Sequence, residues 1–302
     1  MTSSPASDTL LTQGPVARAD ARPSSFWADA LRRVVRTRAA VAGGVVVTIF
    51  VVAAVFAPIL APYDPLKGRL VERLQAPSAV HWLGTDELGR DLLSRILHGA
   101  RITIQIQLAA VLLALAVGTA LGVIAGYVGR WPDLVIMRLM DILMAFPGIF
   151  LALAIIAALG TGLLNVVLAA GISLVPQFAR VVRGSVLGLR EMEFVQAARA
   201  IGHGGVAIVF RYLLPNSLAP LIVQTSLRMA TVLLTASGLS FLGLGVQPPS
   251  PEWGAILSNA RSYMITAPHV ATMPGLAIML VVLGFNLLGD GLRDSLDPRL
   301  RQ

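Results

Sequence analysis

The sequence predicts an all-α integral membrane protein with six transmembrane helices, and three observations predict it. Of 302 residues, 56% are hydrophobic and 13% charged, where a soluble domain carries roughly 25% charged residues. The charges are also segregated: none occurs between positions 142 and 179. Finally, the charge-free stretches have the length that a ~30 Å hydrocarbon core demands of a helix, ~20 residues each.

Taken in order, residues 1–38 are polar and rich in Pro, Ser and Ala without an apolar run, which predicts a flexible basic tail and not a cleaved signal peptide. The first span covers 39–61 as an uncleaved anchor. Residues 62–101 form a loop, in which Asp86 is placed to cap a helix over "ELGRDLLSRILHG" with Leu88, Leu92, Ile96 and Leu97 as its apolar stripe. A core of five further spans occupies 102–290. The second span runs over 104–128 and the third from about 134, where Arg138 and Asp141 stand at i, i+3 spacing as an expected ion pair. Pro147 removes a hydrogen bond in that helix and predicts a bend. "GTG" at 160–162 turns the chain into a fourth span from 164; the fifth covers 217–245 and the sixth 273–289. Residues 291–302 form a charged tail.

Basic residues flank membrane spans on the cytoplasmic side. Six arginines, at 18, 22, 32, 33, 36 and 38, precede the first span, and the 180–216 loop adds five arginines against two acids. Both termini and that loop are therefore expected in the cytoplasm. The 62–101 loop, with six basic and five acidic residues, argues weakly the other way.

Several chemistries are excluded or disfavoured. With no cysteine, thiol catalysis, thiolate metal sites and disulfides disappear together. The only lysine, Lys67, lacks a glycine-rich loop before it, so the chain has no phosphate-binding P-loop and is not expected to hydrolyse ATP. His81, His98, His203 and His269 show no ligand spacing, and no metal or cofactor is expected. The +8 net charge suits anionic lipid better than nucleic acid, because no basic patch is interleaved with aromatics. An intramembrane aspartyl protease would need two carboxylates sharing a proton. Asp141 and Asp290 are the candidates, but the G-x-G-D pattern has Leu287 where glycine belongs.

The most informative stretch is "FVQAARAIGHGGVAIVFRYLLPNSLAP", residues 194–220. Phe194, Ala197, Ala198 and Ile201 fall on one side of a helix at i, i+3, i+4, i+7. Gly202 permits the left-handed geometry that ends it, a short second helix follows over 205–213, and Pro215 suits the first turn of the next span. Helices embedded in lipid favour Trp, Phe and Leu, whereas this one shows mainly alanine, which suits a close-fitting protein groove.

The order Gln196-Ala197-Ala198, three residues, Gly202, nine residues, Tyr212-x-Leu214-Pro215 resembles the E-A-A-x-x-x-G…I-x-L-P coupling helix, here at about 190–215, of ABC-importer permeases. Gln196 stands in place of the glutamate and Tyr212 in place of the isoleucine. "HWLGTDELGRDLLSRILHGAR" (81–101), "RLMDILMAFPGIFLALAI" (138–155), "LSFLGLGVQPPSPEWGAIL" (239–257) and "LGDGLRDSLDPRLR" (288–301) resemble the C-type subunit of the dipeptide/oligopeptide and nickel permeases.

The resemblance implies a type I ABC importer permease fold in a bacterial inner membrane. It further implies pairing with a homologous B-type permease, cytoplasmic ATPases gripping the coupling helix, and an extracytoplasmic binding protein delivering peptide. ATP is then used by the partner, and nickel chelates, glutathione or haem-like compounds are the alternative cargoes. A stand-alone carrier or channel would work without an ATPase. The implied coupling residues are Gln196, Ala197, Ala198, Gly202, Leu214 and Pro215.

Asp141, Pro147 and Arg228 are the candidates for the translocation path. Arg228 lies eleven residues into the fifth span, roughly 17 Å along its axis, too deep for easy snorkelling. It is expected to face the pore or the partner, favouring anionic cargo. Related permeases often carry an acid two turns later, where this chain has Ala236. Trp253 is expected at interface depth, to be touched by a binding protein or anchored in lipid. Arg293, Asp294, Asp297 and Arg299 are expected to bridge one another, and the resemblance implies that they also brace the coupling loop.

Overall fold

The computed structural model describes residues 32–296; the arginines at 18 and 22, together with Asp297 and Arg299, lie outside the described residues. The helices are α1 (Arg38–Leu60), α2 (Leu92–Val128), α3 (Arg130–Met144), α4 (Gly148–Leu159), α5 (Leu163–Arg190), α6 (Glu193–Ala200), α7 (Gly205–Ile208), α8 (Leu214–Asn216), α9 (Leu218–Phe241), α10 (Trp253–Ala260) and α11 (His269–Leu296). Helices α1, α2, α5, α9 and α11 are each long and apolar enough to cross a membrane, and α3 with α4, a bent pair, makes up the length and composition of a sixth if the two are one span. No strand occurs among the described residues, only isolated bridges such as Gly68 to Arg90.

The break in the third span is a bend of 92° between α3 and α4. It falls where Pro147 takes the N-cap of α4, because proline offers no N–H to continue the ladder of α3. The bend expected at Pro147 is therefore present, and it is sharp enough to split the span in two.

The most extensive helix pair among the described residues is α2 with α5. Gly118, Gly122 and Gly126 repeat every four residues and so line one face of α2. A Cβ added at Gly122 would stand 2.5 Å from the Ala179 carbonyl oxygen and 2.7 Å from Val182 Cβ; at Gly118 it would stand 2.5 Å from Phe178 Cβ. Side-chain-free positions let the two backbones approach, which is how apolar helices associate when lipid removes the hydrophobic drive. Helix α11 packs against α1 and α9.

Helix α2 starts at Leu92, so the last ten residues of the loop expected over 62–101 already belong to it, and its N-cap is Asp91, not Asp86. Asp91 accepts from Ser94 N at 2.8 Å and from Ser94 Oγ at 2.7 Å. Asp86 is committed elsewhere: its carboxylate takes Leu88 N, Arg90 N and Arg90 Nε at 2.9, 2.9 and 2.6 Å, and faces Arg95 Nε at 3.2 Å. It organises the turn ahead of the helix. Leu88 lies outside the helix and is exposed, so the expected stripe loses its first member.

Trp253 is buried, which corrects its placement at the lipid interface or on a binding-protein surface. Its indole donates from Nε1 to the Ile96 carbonyl at 2.9 Å, and its ring tilts against Phe50 with centroids 5.4 Å apart. A tryptophan whose N–H has a partner is free to sit inside. Beside it, the Glu252 carboxylate caps α10 by accepting from Gly254 N at 3.0 Å and Ala255 N at 2.9 Å. Burial pushes that carboxyl above its ordinary value, and these hydrogen bonds oppose the shift.

Candidate functional site: a clamped loop and a broken span

The loop joining α5 to α9 is built as a rigid knuckle. Helix α6 ends in a six-residue closure in which Gly202 N bonds the Arg199 carbonyl at 3.0 Å and His203 N bonds the Ala198 carbonyl at 3.1 Å. Gly202 has φ +87°, the left-handed conformation this motif needs and which L residues resist. After α7 the chain widens into a π turn over Val209–Leu213, with Pro215, which cannot donate to the Arg211 carbonyl, one turn beyond. Tyr212 Oη and His203 Nδ1 are 3.0 Å apart and close the knuckle across its base.

Its inner face is fixed to the bundle. Val195, Ala198, Ile208 and Leu213 are all buried. The Arg199 guanidinium lies over the Tyr127 ring at 6.0 Å, and Arg190 donates from Nη1 to the Gly126 carbonyl at 3.0 Å. Both contacts fall on the last turn of α2, at the end of the glycine seam. A cation there also meets the negative end of the helix dipole. The knuckle is thus bolted to the most extensively packed helix pair among the described residues.

Its outer face is apolar and uncovered: Ile201 is 72% exposed, Val206 74% and Phe210 67%. The structure rearranges the expected stripe. Phe194, Ala197 and Ile201 face outward, but Ala198 turns in and is 2% exposed. Gln196 is exposed and donates to the Glu191 carbonyl at 3.1 Å. Leu214 is half-buried and Pro215 exposed. The patch is more strongly apolar than the alanines suggest, because Val206 and Phe210 join it from the second half of the loop.

The broken span supplies a second candidate region. Asp141 does not pair with Arg138; it accepts from Arg180 Nη2 of α5 at 2.9 Å, while Arg138 is exposed and makes no ion pair among the described residues. The packing of α3 on α5 turns the carboxylate toward α5. A basic residue ahead of the acid is in any case the weaker order along a helix. About two turns earlier in α3, Asp133 holds Arg183 through two hydrogen bonds of 2.5 and 2.7 Å. With Asp141 engaged by arginine, a carboxylate dyad with Asp290 has no support here. Asp290, Arg293 and Asp294 are exposed, and Arg293 and Asp294 make no bridge to each other among the described residues. Ala236 is buried.

The comparisons place this architecture. Residues 118–302 match the family described as "Binding-protein-dependent transport system inner membrane component", and residues 25–77 match "N-terminal TM domain of oligopeptide transport permease C". The chain is 49% identical to the dipeptide transport system permease protein DppC of Alkalihalophilus pseudofirmus, over 92% of this chain and 91% of the relative. It is 48% identical to the glutathione transport system permease protein GsiD of Pectobacterium atrosepticum, over 97% of each. Among solved structures, the inward-facing MetNI methionine ABC transporter superposes with TM-score 0.55 at 20% identity, covering 66% of this chain and 95% of that one.

Proposed function

This chain belongs to the family of binding-protein-dependent transport system inner membrane components, as an ABC-importer permease of the C type, and on that premise we propose that it forms half of a peptide translocation pore driven by a separate ATPase. The carrying observation is the knuckle: an exposed apolar knob of Ile201, Val206 and Phe210 on a frame clamped to the end of α2. A mobile loop would absorb a push, whereas a loop pinned to the α2/α5 seam transmits it to two spans at once.

The division of labour follows. The chain carries no nucleotide motif, so ATP is bound and hydrolysed by cytoplasmic partners that receive the knob. A homologous B-type permease covers the exposed apolar residues around the bend, including Leu139, Phe146 and Phe150, and encloses the path with them. A binding protein delivers cargo from the opposite side. This requires the α5–α9 loop and both termini in the cytoplasm of a bacterial inner membrane, as the arginine distribution favours. The named relatives handle a dipeptide and glutathione, so the cargo is taken to be a short peptide. The chain itself is not an enzyme.

Affinity purification of this chain in mild detergent tests the reading. The expected result is a co-purifying second permease and an ABC ATPase, with peptide uptake that stops when the ATPase is inactivated. Uptake that continues without any ATPase would make the chain a stand-alone carrier.

A further inference from the structure

Helix α9 is buried most heavily along one side. Ser226, Met229, Ala230, Leu233, Ala236 and Ser240 are buried against the chain's own bundle. Gln224, Arg228, Thr231, Thr235 and Gly238 are half-buried and, at 3.6 residues per turn, share an arc of about 80° centred on the side away from that face. The one guanidinium of the span is therefore set in a half-buried polar stripe opposite the most heavily buried side, with buried Leu221 and Leu239 along one edge.

Arg228 is held in place. With the Gln224 amide oxygen turned toward it, Oε1 accepts from Nε at 2.9 Å and Nη2 at 3.3 Å. No carboxylate lies within ion-pair distance of it among the described residues. From Leu218, the first residue of α9, Arg228 is ten residues along, about 15 Å, close to the middle of a ~30 Å core. A fixed positive charge at that depth belongs beside water or a partner group and not acyl chains. The far end of the stripe meets the broken span: a Cβ on Gly238 would stand 3.5 Å from Ile149 Cδ1, in the first turn of α4 just past Pro147. The stripe and the 92° bend thus border one region.

We propose that the Gln224–Gly238 stripe lines the cargo path, and that Arg228 is its specificity-determining residue, selecting peptides with an additional carboxylate over basic ones. The inference rests on the permease reading above and names the substrate class of its path. Glutamine fixes one edge of the guanidinium, leaving its remaining N–H groups to receive a carboxylate. Threonines at 231 and 235 offer hydroxyls that can replace water along the rest of the stripe without holding cargo tightly.

The test uses the complete transporter, with its partner permease, ATPases and binding protein, in proteoliposomes. Initial uptake of alanyl-glutamate, dialanine and alanyl-lysine is measured for the parent and for Arg228→Gln, Arg228→Ala and Arg228→Lys. Dividing variant by parent for each peptide cancels the binding protein's own preference. Loss of one charge-assisted contact predicts that the glutamate-to-lysine ratio falls about tenfold in Arg228→Gln and Arg228→Ala, while Arg228→Lys stays within about twofold of the parent. An unchanged ratio, an equal loss for all three peptides, or failure of both neutral variants to assemble would overturn the inference, the last two assigning Arg228 to subunit packing. If the parent transporter itself moves no peptide, the permease reading falls first; if it does and the ratio holds, only the role of Arg228 falls.

Discussion

Replacing Ile201 and Val206 together by glutamate is expected to reduce both ATPase attachment and uptake by at least about a hundredfold, since each buried unpaired charge costs several kcal/mol and a factor of ten needs only 1.4. The two side chains are 72% and 74% exposed, so the substitution removes little internal contact and the amount of folded chain in the membrane should equal the parent's. That pairing of results separates a docking role from a folding one. Retention of the ATPase through purification, quantified against the permease, is the direct measure. By contrast, Ala198→Leu enters the knuckle's buried face, where Ala198 is 2% exposed, and should lower folded protein and attachment together. A variant with glutamate at 201 and 206 that still holds the ATPase would remove the knob from the interface.

Gly122→Leu is the second large effect, and it acts in the opposite way. Even the first atom of a side chain would stand 2.5 Å from the Ala179 carbonyl oxygen, a backbone atom that cannot rotate aside, and 2.7 Å from Val182 Cβ. The α2/α5 pair must separate to admit the remaining carbons. Overpacking of this kind costs about 1–3 kcal/mol in soluble cores and more where the backbone itself must move. The expected outcome is a severe drop in folded protein, read by detergent-solubilised size-exclusion profile and thermal stability, with Gly122→Ala intermediate. Leucine at Gly184 of α5, where an added Cβ meets nothing within 4 Å, is the matched control and should leave the profile intact. Parent-like stability in Gly122→Leu would mean that the seam is loose, and a loose seam could not carry force from the knuckle.

These two sites were unequally legible in the sequence. The spans follow from where charge is missing, and the split at Pro147 follows from a missing N–H, so both are written locally. The knuckle's outline was legible too, because Gly202 and Pro215 impose backbone geometry whatever surrounds them. Which of its faces looks outward was not: Ala198 and Ala197 are chemically the same residue, and only the tertiary packing, which buries Ala198 and leaves Ala197 exposed, distinguishes them. Long-range partners were the main loss. Asp141 selects Arg180, 39 residues away, over Arg138 three residues away, and Trp253 finds the Ile96 carbonyl 157 residues earlier in the chain. A preference of tryptophan for the interface carries no information about such a partner. The glycine seam was available as "GTALGVIAG", residues 118–126, glycine at every fourth position of an apolar span, and it is the structure that makes it the anchor of the knuckle.

The absence of cysteine allows the central claim to be tested at one atom. Ala197 is exposed on the knuckle, and Ala197→Cys creates the only thiol in the chain. With a membrane-impermeant maleimide, the account predicts no labelling in intact cells, full labelling in inverted vesicles stripped of ATPase, and protection of the thiol once the ATPase is restored. Labelling from outside intact cells, or labelling in inverted vesicles that is the same with and without the ATPase, would contradict it.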